Sequence, residues 1–307
     1  MNPIDDIIPR KQEKQLQEIL DMFSDYIEEL VNMGSNILKW DIEKSTRIED
    51  KTAYLFLRAF IEQIDAISIL VRNSSIEPCR GILRTALEIF FSLEYLLEKN
   101  TEKRSKAFIV WFCQNKIKET QRHDGKSDLY KNLFALYKKD KLYKDIEPPV
   151  YDNADKIIKD FENDINSQYY KEAKDEYEKT KNKFKQRNKT KFDWFSQSEG
   201  PESILKLAEH LNHYVYYHEF YSIHSENVHG TYVMKGGFMN NDNFIGIRQI
   251  RNARESQLIS QHCFKLCLRV FTKYVLKRTP SQKDQFKKWY MQIKPIYMDI
   301  NSKVYIK

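Results

Sequence analysis

The sequence predicts an all-α protein, a multi-helix bundle, and three observations support this fold class. Only eight glycines and eight prolines interrupt 307 residues, so long stretches contain no residue that breaks a helix. In most of these stretches apolar residues recur three and four positions apart, which is the period of an amphipathic helix. Hydrophobic residues make up 41% of the chain, enough for a sizeable core. We therefore expect one helical domain over 1–307 with at most one small hairpin.

The spacing of the apolar residues places the individual helices. They are predicted over 10–39, 51–72, 76–98, 102–122, 127–144, 202–228, 252–277 and 281–293. The helix over 76–98 is apolar nearly all round, which is typical of a helix at the centre of a bundle. Paired glycines and a run of asparagines within 231–249 favour a loop or a small hairpin.

Residues 153–191 differ in composition from the rest of the chain. Apolar residues become sparse here, and Lys, Glu, Asp and Tyr dominate. We predict one or two solvent-exposed helices that form a charged projecting arm or insertion. Two interpretations of the arm stay open. It could bind a partner protein, or it could be a charged helical face that only water covers.

The composition also excludes several classes of protein. A run of eighteen apolar residues does not occur, so we expect no membrane-spanning helix and no membrane partner. Charged residues stand where a signal peptide would need apolar ones, and we expect a cytoplasmic protein. Phosphate-cradling glycine motifs and EF-hand loops do not occur, so no cofactor is predicted. The net charge of +7 favours RNA or another phosphate-bearing ligand as partner, and an oligomer is compatible with the sequence.

The cysteines are too few and too scattered for a disulfide framework, and we expect them to be reduced and mostly buried. They are Cys79, Cys113, Cys263 and Cys267. His262 stands beside a pair of them one helical turn apart, but a zinc site would need a fourth ligand that the sequence does not place nearby. Core packing is the preferred interpretation.

Five of the seven histidines lie between 210 and 229. They are His210, His213, His218, His224 and His229. If 202–228 were one continuous α-helix, one face would carry His210, His213 and His224 together with Tyr214, Tyr217 and Tyr221. The opposite face would carry Ile204, Ala208, Leu211 and Val215, and we predict that it packs on the core.

Three interpretations of these histidines stay open. A metal site would use His210 and His213, although their spacing matches no strong zinc signature, and no metal is predicted. An acid–base site would use His224 and His229, which flank Ser225. In the third interpretation the rings are half-buried and hydrogen-bonded to neighbouring helices. Ser225 lacks the G-x-S-x-G elbow of a serine hydrolase, so it is not predicted to be a nucleophile.

The apolar helix over 76–98 carries Arg80, Arg84 and Glu88 at intervals of four, which places them on one face. Because their surroundings are apolar, these charges must be paired. One interpretation is structural, an ion pair between Arg84 and Glu88 that fixes the helix register. The other is functional, an arginine that binds an anionic group beside an acid–base carboxylate.

The order Arg84-x-x-x-Glu88, then Trp194, then the motif Ser-x-x-Val-His-Gly from Ser225 resembles an uncharacterised bacterial family of unknown function. The resemblance covers about residues 50–275 and implies no activity. It implies an all-helical fold and a cluster of five side chains: Arg84, Glu88, His224, Ser225 and His229. A weaker similarity is to HEPN-type helical proteins, many of them RNases of toxin–antitoxin and phage-defence systems. Their Arg-x4–6-His motif does not occur upstream of His229.

Two hypotheses of function follow. In the first, the protein is an RNA-directed effector, a metal-independent endoribonuclease, in bacterial or phage-defence biology. His224 or His229 would be the general acid or base, Arg84 would stabilise charge on the phosphorane, and Glu88 would orient a partner. The expected ligand-binding side chains are Arg80, Tyr221 and Ser225. In the alternative, the protein is a non-enzymatic interaction protein or an anionic-ligand sensor, and the same cluster is structural or binds the ligand.

Overall fold

A computed structural model describes residues 13–44, 48–228, 238–241, 244–247, 250–303 and 305. Within these residues the chain folds into α-helices, short 3-10 and π-helical segments and one two-stranded hairpin. The predicted all-α multi-helix fold is confirmed. No described helix has an apolar stretch long enough to span a bilayer.

The helices are α1 (Lys14–Ile42), α2 (Ile48–Arg72), α3 (Ile76–Glu98), α4 (Thr101–Gln121), α5 (Asp128–Lys139), α6 (Ala154–Ile165), α7 (Lys171–Gln186), α8 (Ile204–His210), α9 (Ser222–Val228), α10 (Ala253–Arg278) and α11 (Lys283–Ser302). The 3-10 segments are Gln168–Tyr170, Trp194–Glu199 and Pro280–Gln282, and a π-helical segment spans Tyr216–Tyr221. The hairpin consists of β1 (Phe238–Asn241) and β2 (Phe244–Ile247), which pair antiparallel with Asn241 opposite Phe244.

Contacts divide the chain into two compact units. The first comprises Met1–Lys99 and Ile204–Lys307, and the second comprises Asn100–Ser203. This division describes compactness alone, so the prediction of one domain over 1–307 stays a prediction.

The core of the first unit lies between α1, α2, α3 and α10. α3 is buried on most of its circumference, as its apolar sequence predicts. α1 passes very close to its neighbours at Gly34, where an added Cβ would come within 2.8 Å of Ile61 and 2.9 Å of Phe271. The sequence-based prediction ended this helix at 39, but α1 continues to Ile42. Position 34 requires a glycine because side chains of α2 and α10 occupy the space that a Cβ would need.

A buried ion network joins helix ends in the first unit. Asp41, near the end of α1, is 2% exposed. It accepts hydrogen bonds from the hydroxyl of Tyr274 and from Arg278, whose Nη2 lies 3.0 Å from Asp41 Oδ1. Arg278 also binds Asp50 of α2 at 2.5 Å. The charges of Asp41 and Arg278 are tolerated here because each of the two has more than one partner.

The second unit has its own core, which α4, α6 and α7 form together with the 3-10 turn before α7. Its fully enclosed members are Val110, Cys113, Ile165, Tyr170, Ala173 and Tyr177. The predicted charged arm therefore consists of helices that expose their charged side chains and bury one apolar stripe. α5, by contrast, has no buried residue.

The predicted helix over 202–228 is interrupted, which is a correction. α8 ends at His210, and Asn212 adopts a left-handed conformation with φ of 59°. A helix resumes at 214, and its π-helical turn changes the angular spacing of the side chains. The predicted core face is right for Ala208, which is buried, and wrong for Val215, which is 63% exposed. A helical wheel at constant 100° spacing fails across such a break.

Candidate functional site

Three side chains form one hydrogen-bonded group in the first unit, which we name the Arg–Tyr–Glu cluster: Arg84, Tyr221 and Glu88. Arg84 and Glu88 lie one turn apart on α3, and the π-helical segment brings Tyr221 to them. The Tyr221 hydroxyl accepts from Arg84 Nη2 and donates to Glu88 Oε1, both at 2.8 Å. Arg84 also lies 3.1 Å from Glu88 Oε1, which is the ion pair that their spacing predicts.

The cluster is partly open to solvent. The side chains of Arg84 and Glu88 are 24% and 35% exposed, whereas Tyr221 is buried. The guanidinium carbon of Arg84 lies 5.0 Å from the centroid of the Tyr221 ring, within the range of a cation–π contact. Its Nε is buried and has no hydrogen-bond partner among the described residues. The partly exposed ion pair of Arg84 and Glu88 is thus hydrogen-bonded to the hydroxyl of the buried Tyr221.

Burial raises the pKa of Tyr221 to about 12, and the hydrogen bond to the negatively charged Glu88 acts in the same direction. Arg84 has a smaller, opposite effect on that pKa. The phenol is therefore undissociated at neutral pH and acts as an O–H donor to the carboxylate.

Arg80 lies one turn before Arg84 but has other partners. Its Nη2 is 2.6 Å from Glu255 of α10, and its Nε is 3.5 Å from Glu77. Because two carboxylates already hold it, Arg80 ties α3 to α10 and makes no described hydrogen bond with the Arg–Tyr–Glu cluster.

His224 lies on α9 next to His262 of α10, with 6.0 Å between the ring centroids. His224 is 2% exposed. Each ring has a buried Nδ1 without a hydrogen-bond partner in the part of the chain that the structure describes. Both rings line a cavity of about 10 Å³, which is the size of one water molecule. The remaining lining residues are Leu83, Leu87, Tyr216, Phe220, Lys265 and Leu266.

The two rings are neutral at physiological pH. Burial lowers the pKa of His224 to about 3, and electrostatic interactions with the nearby His262 and Arg80 add to this effect. Burial likewise lowers the pKa of His262 to about 4, with further contributions from Lys265 and Arg80. A neutral His224 can accept a hydrogen bond but cannot be a general acid at pH 7.

Two other histidines of the segment have carboxylate partners on α3. His213 Nε2 lies 2.7 Å from Glu94 Oε2, and His210 Nε2 lies 3.0 Å from Glu98 Oε2. This confirms the interpretation of hydrogen-bonded rings for these two, while His218 is exposed. Lys273 of α10 binds the second oxygen of Glu94 at 3.0 Å. No group of three possible metal ligands forms among the described residues.

The structure thus brings Arg84, Glu88 and Tyr221 together and places Arg80 and His224 on neighbouring turns. Ser225 is half-buried after His224, and His229 lies outside the described residues. Two groups of residues at this site were not predicted from the sequence. Glu94 and Glu98 lie four residues apart, six and ten positions after Glu88 on α3, and this spacing could have indicated them. His262 was considered only for its neighbouring cysteines, all of which are buried and free as predicted.

The model of a family of unknown function, DUF5677, matches residues 50–246. This range includes α3 and the segment of Tyr221 and His224. Comparison with curated proteins and with solved structures gave no significant match. The similarity to HEPN-type proteins stays a prediction. Since the family model covers more than half of the chain, the predicted membership is confirmed, and the chain belongs to DUF5677, a family of unknown function.

Proposed function

We propose that this protein is an RNA-directed effector, a metal-independent endoribonuclease that uses the Arg–Tyr–Glu cluster. The proposal depends mainly on the geometry of the cluster. Hydrogen bonds of 2.8 Å connect the partly exposed side chains of Arg84 and Glu88 to the undissociated hydroxyl of Tyr221. A cation, a proton acceptor and a fixed O–H donor within one site are the groups that phosphodiester cleavage requires. The basic net charge of +7 also favours a polyanionic substrate.

The reaction would be attack of the 2′-hydroxyl of RNA on the adjacent phosphorus. The bond from the 2′-oxygen to phosphorus forms, and the bond from phosphorus to the 5′-oxygen breaks. Glu88 would accept the 2′ proton, and Arg84 would stabilise the added negative charge on the phosphorane. Tyr221 would hold these two side chains in register.

The leaving 5′-oxygen needs a proton, and we assign its donation to His229. His224 was the other sequence-based candidate, but its lowered pKa of about 3 leaves it without a proton to give at neutral pH. We therefore treat His224 as part of the apolar wall beside the cluster. Ser225 stays a candidate for binding the ribose or phosphate.

The first experiment incubates purified protein with total bacterial RNA in the presence of EDTA. Three variants test the roles: Arg84→Met removes the charge, Tyr221→Phe removes only the hydroxyl, and His229→Ala removes the acid. Loss of one such group from a preorganised site costs about 10²–10³ in rate. We expect the wild type to cleave in EDTA and each variant to lose at least about a hundredfold.

Arg72→Met is the matched control, since Arg72 is another partly exposed arginine of the first unit and pairs with Asp25 and Glu28 at the surface. It should cleave like the wild type. A wild type that leaves RNA intact contradicts the proposal. So does a control that loses as much activity as Arg84→Met.

A second function has its own support, because the three groups of the cluster bind one another and Tyr221 is buried. In this alternative the cluster fixes the bundle of a non-enzymatic interaction protein or an anionic-ligand sensor. A large drop in melting temperature for both Tyr221→Phe and Glu88→Gln, with no cleavage by the wild type, supports it. Thermal stabilisation by nucleotides would then select the sensor.

A further inference from the structure

The end of α7 and the segment after it are strongly basic in the second unit. Seven cationic residues and no acidic one lie between 179 and 191. We name these residues the basic strip: Lys179, Lys181, Lys183, Lys185, Arg187, Lys189 and Lys191. The acidic residues of α7 all precede the strip, so the charge along this helix is segregated.

The carboxylates within reach do not neutralise the strip. Lys179 and Lys181 pair with glutamates three residues earlier, at 3.6 and 2.9 Å. Glu202 alone is shared by Arg187 at 2.7 Å, by Lys183 at 3.2 Å and by Lys189 at 3.9 Å. In the described part of the chain, no carboxylate lies within 4.0 Å of Lys185 or Lys191. Three carboxylates thus face seven cations.

Lys118 of α4 extends the positive charge into a half-buried position. Its ammonium group donates to the Tyr177 hydroxyl at 3.0 Å. No ion pair with a carboxylate is formed by Lys118 among the described residues. Burial lowers its pKa, and the nearby charge of Lys181 adds to the effect, with a smaller opposing contribution from Glu178. An anion bound near Lys118 and Lys181 would offset the repulsion between their charges.

The dipole of α7 explains only part of this arrangement. Cations in the last turn of a helix are stabilised by its partial negative charge, which accounts for Lys183 and Lys185. Lys191 and Lys118 gain nothing from it, because one lies beyond the helix and the other on α4. The chain leaves the helix in a defined geometry, since the Lys189 N–H donates to Phe184 O at 2.9 Å and Asn188 has φ of 57°.

We propose that the basic strip, together with Lys118, binds the phosphate backbone of a nucleic acid. The inference rests on the proposed function and deepens it, because it names the surface that would hold the RNA. Phe184 is buried and packs against Phe192, with 5.4 Å between the ring centroids. The aromatic ring within 179–191 is therefore not free to stack on a base, and the basic strip would contact the phosphate backbone without reading the base sequence.

The test is fluorescence anisotropy with a short fluorescein-labelled RNA whose 2′-hydroxyls are methylated, so that binding is measured without cleavage. The strip variant replaces four exposed lysines: Lys181→Gln, Lys185→Gln, Lys189→Gln and Lys191→Gln. The matched control removes the same charge from α11: Lys283→Gln, Lys287→Gln, Lys288→Gln and Lys294→Gln. All eight side chains are exposed, and circular dichroism checks that both variants keep their helices.

We expect the strip variant to bind at least about tenfold more weakly than the wild type at moderate salt. Each lost phosphate contact lowers the slope of log Kd against log salt by about 0.7 for single strands, so four contacts lower it by about 3. The control should stay close to the wild type. Single-stranded DNA of the same length should bind like the RNA, because both present the same phosphates.

An equal loss in both variants contradicts the inference, because net charge alone would then explain binding. Tighter binding of labelled polyglutamate than of RNA also contradicts it and identifies an acidic protein surface as the partner. The outcomes separate this inference from the proposed function. RNA held by the strip but not cleaved contradicts only the endoribonuclease, whereas cleavage with unchanged binding by the strip variant contradicts only the strip.

Discussion

At the scale of single residues, several buried polar atoms of the first unit have no hydrogen-bond partner in the described part of the chain. Arg84 Nε, His224 Nδ1 and His262 Nδ1 are buried without a described partner. A buried polar atom that makes no hydrogen bond costs about 1–3 kcal/mol. For the two histidines, the energetic consequence depends on pH.

We predict that the first unit loses stability as pH falls below the ordinary histidine pKa of 6.5. In the folded state the pKa is lowered to about 3 for His224 and to about 4 for His262. Below pH 6.5 these two rings therefore bind protons in the unfolded chain but not in the folded chain. The free energy of unfolding therefore decreases by up to about 1.4 kcal/mol per pH unit for each ring. Well above pH 6.5 both rings are neutral in both states, and neither affects the pH dependence.

Urea denaturation at pH 7 and pH 5 measures this effect. In His224→Leu one titrating ring is absent, and the loss of stability between these pH values should be about 2 kcal/mol smaller than in the wild type. His218→Gln is the control, since His218 is exposed, and it should behave like the wild type. An unchanged pH dependence in His224→Leu would contradict the prediction, because it would show that His224 takes up its proton as readily in the fold as in the unfolded chain.

The residue scale also shows why the candidate site was predictable only in part. Arg84 and Glu88 are four apart on one helix, so their pairing follows from sequence spacing. Tyr221 joins them from a segment 133 residues beyond Glu88. No local pattern specifies that approach, because it depends on the packing of two helices and on the π-helical turn. Among the histidines, the sequence could place rings on a helix but could not tell which of them find a carboxylate.

At the scale of elements, the helices were predictable where apolar residues recur without interruption. α3 and α10 follow the predicted bounds closely because their apolar periodicity continues to both ends. The prediction failed at Asn212, whose left-handed conformation ends one helix within an otherwise periodic sequence. It also failed at the end of α11, which was predicted at 293, whereas the helix contains Pro295 and continues to Ser302. Local conformation and tertiary packing prevail over propensity at such points.

The ends of α1, α2 and α10 meet at the buried network of Asp41, and we predict that this contact determines much of the stability of the first unit. Asp41→Asn should lower the free energy of unfolding by about 3 kcal/mol, because it leaves the largely enclosed guanidinium of Arg278, which is 16% exposed, with one charged partner fewer. Chemical denaturation at pH 7 measures the loss.

The control for this prediction is Asp25→Asn, which removes another carboxylate that pairs with an arginine. Asp25 binds Arg72 at 2.7 Å, but its side chain is 68% exposed. Exposed pairs contribute less than about 1 kcal/mol, so this variant should stay close to the wild type. Similar losses in the two variants would mean that burial of the Asp41 network adds nothing to its strength.

At the scale of the whole molecule, the two compact units each enclose a separate set of apolar side chains. Phe60 is fully buried in the first unit, and Tyr177 is 1% exposed in the second. The tryptophans are also divided, with Trp111 and Trp194 in the second unit and Trp40 and Trp289 in the first. The charged helices within 153–191 contribute part of the core of the second unit. The sequence did not predict this contribution, because apolar residues are sparse in these helices.

Separate cores lead us to expect two unfolding transitions in differential scanning calorimetry, whereas the sequence-based prediction of one domain over 1–307 requires one. Phe60→Ala and Tyr177→Ala each remove a large buried ring, which costs about 3–5 kcal/mol. Each variant should lower the temperature of one transition and leave the other in place. If both variants shift a single shared transition, the units unfold together, and the chain is one cooperative domain despite its two cores.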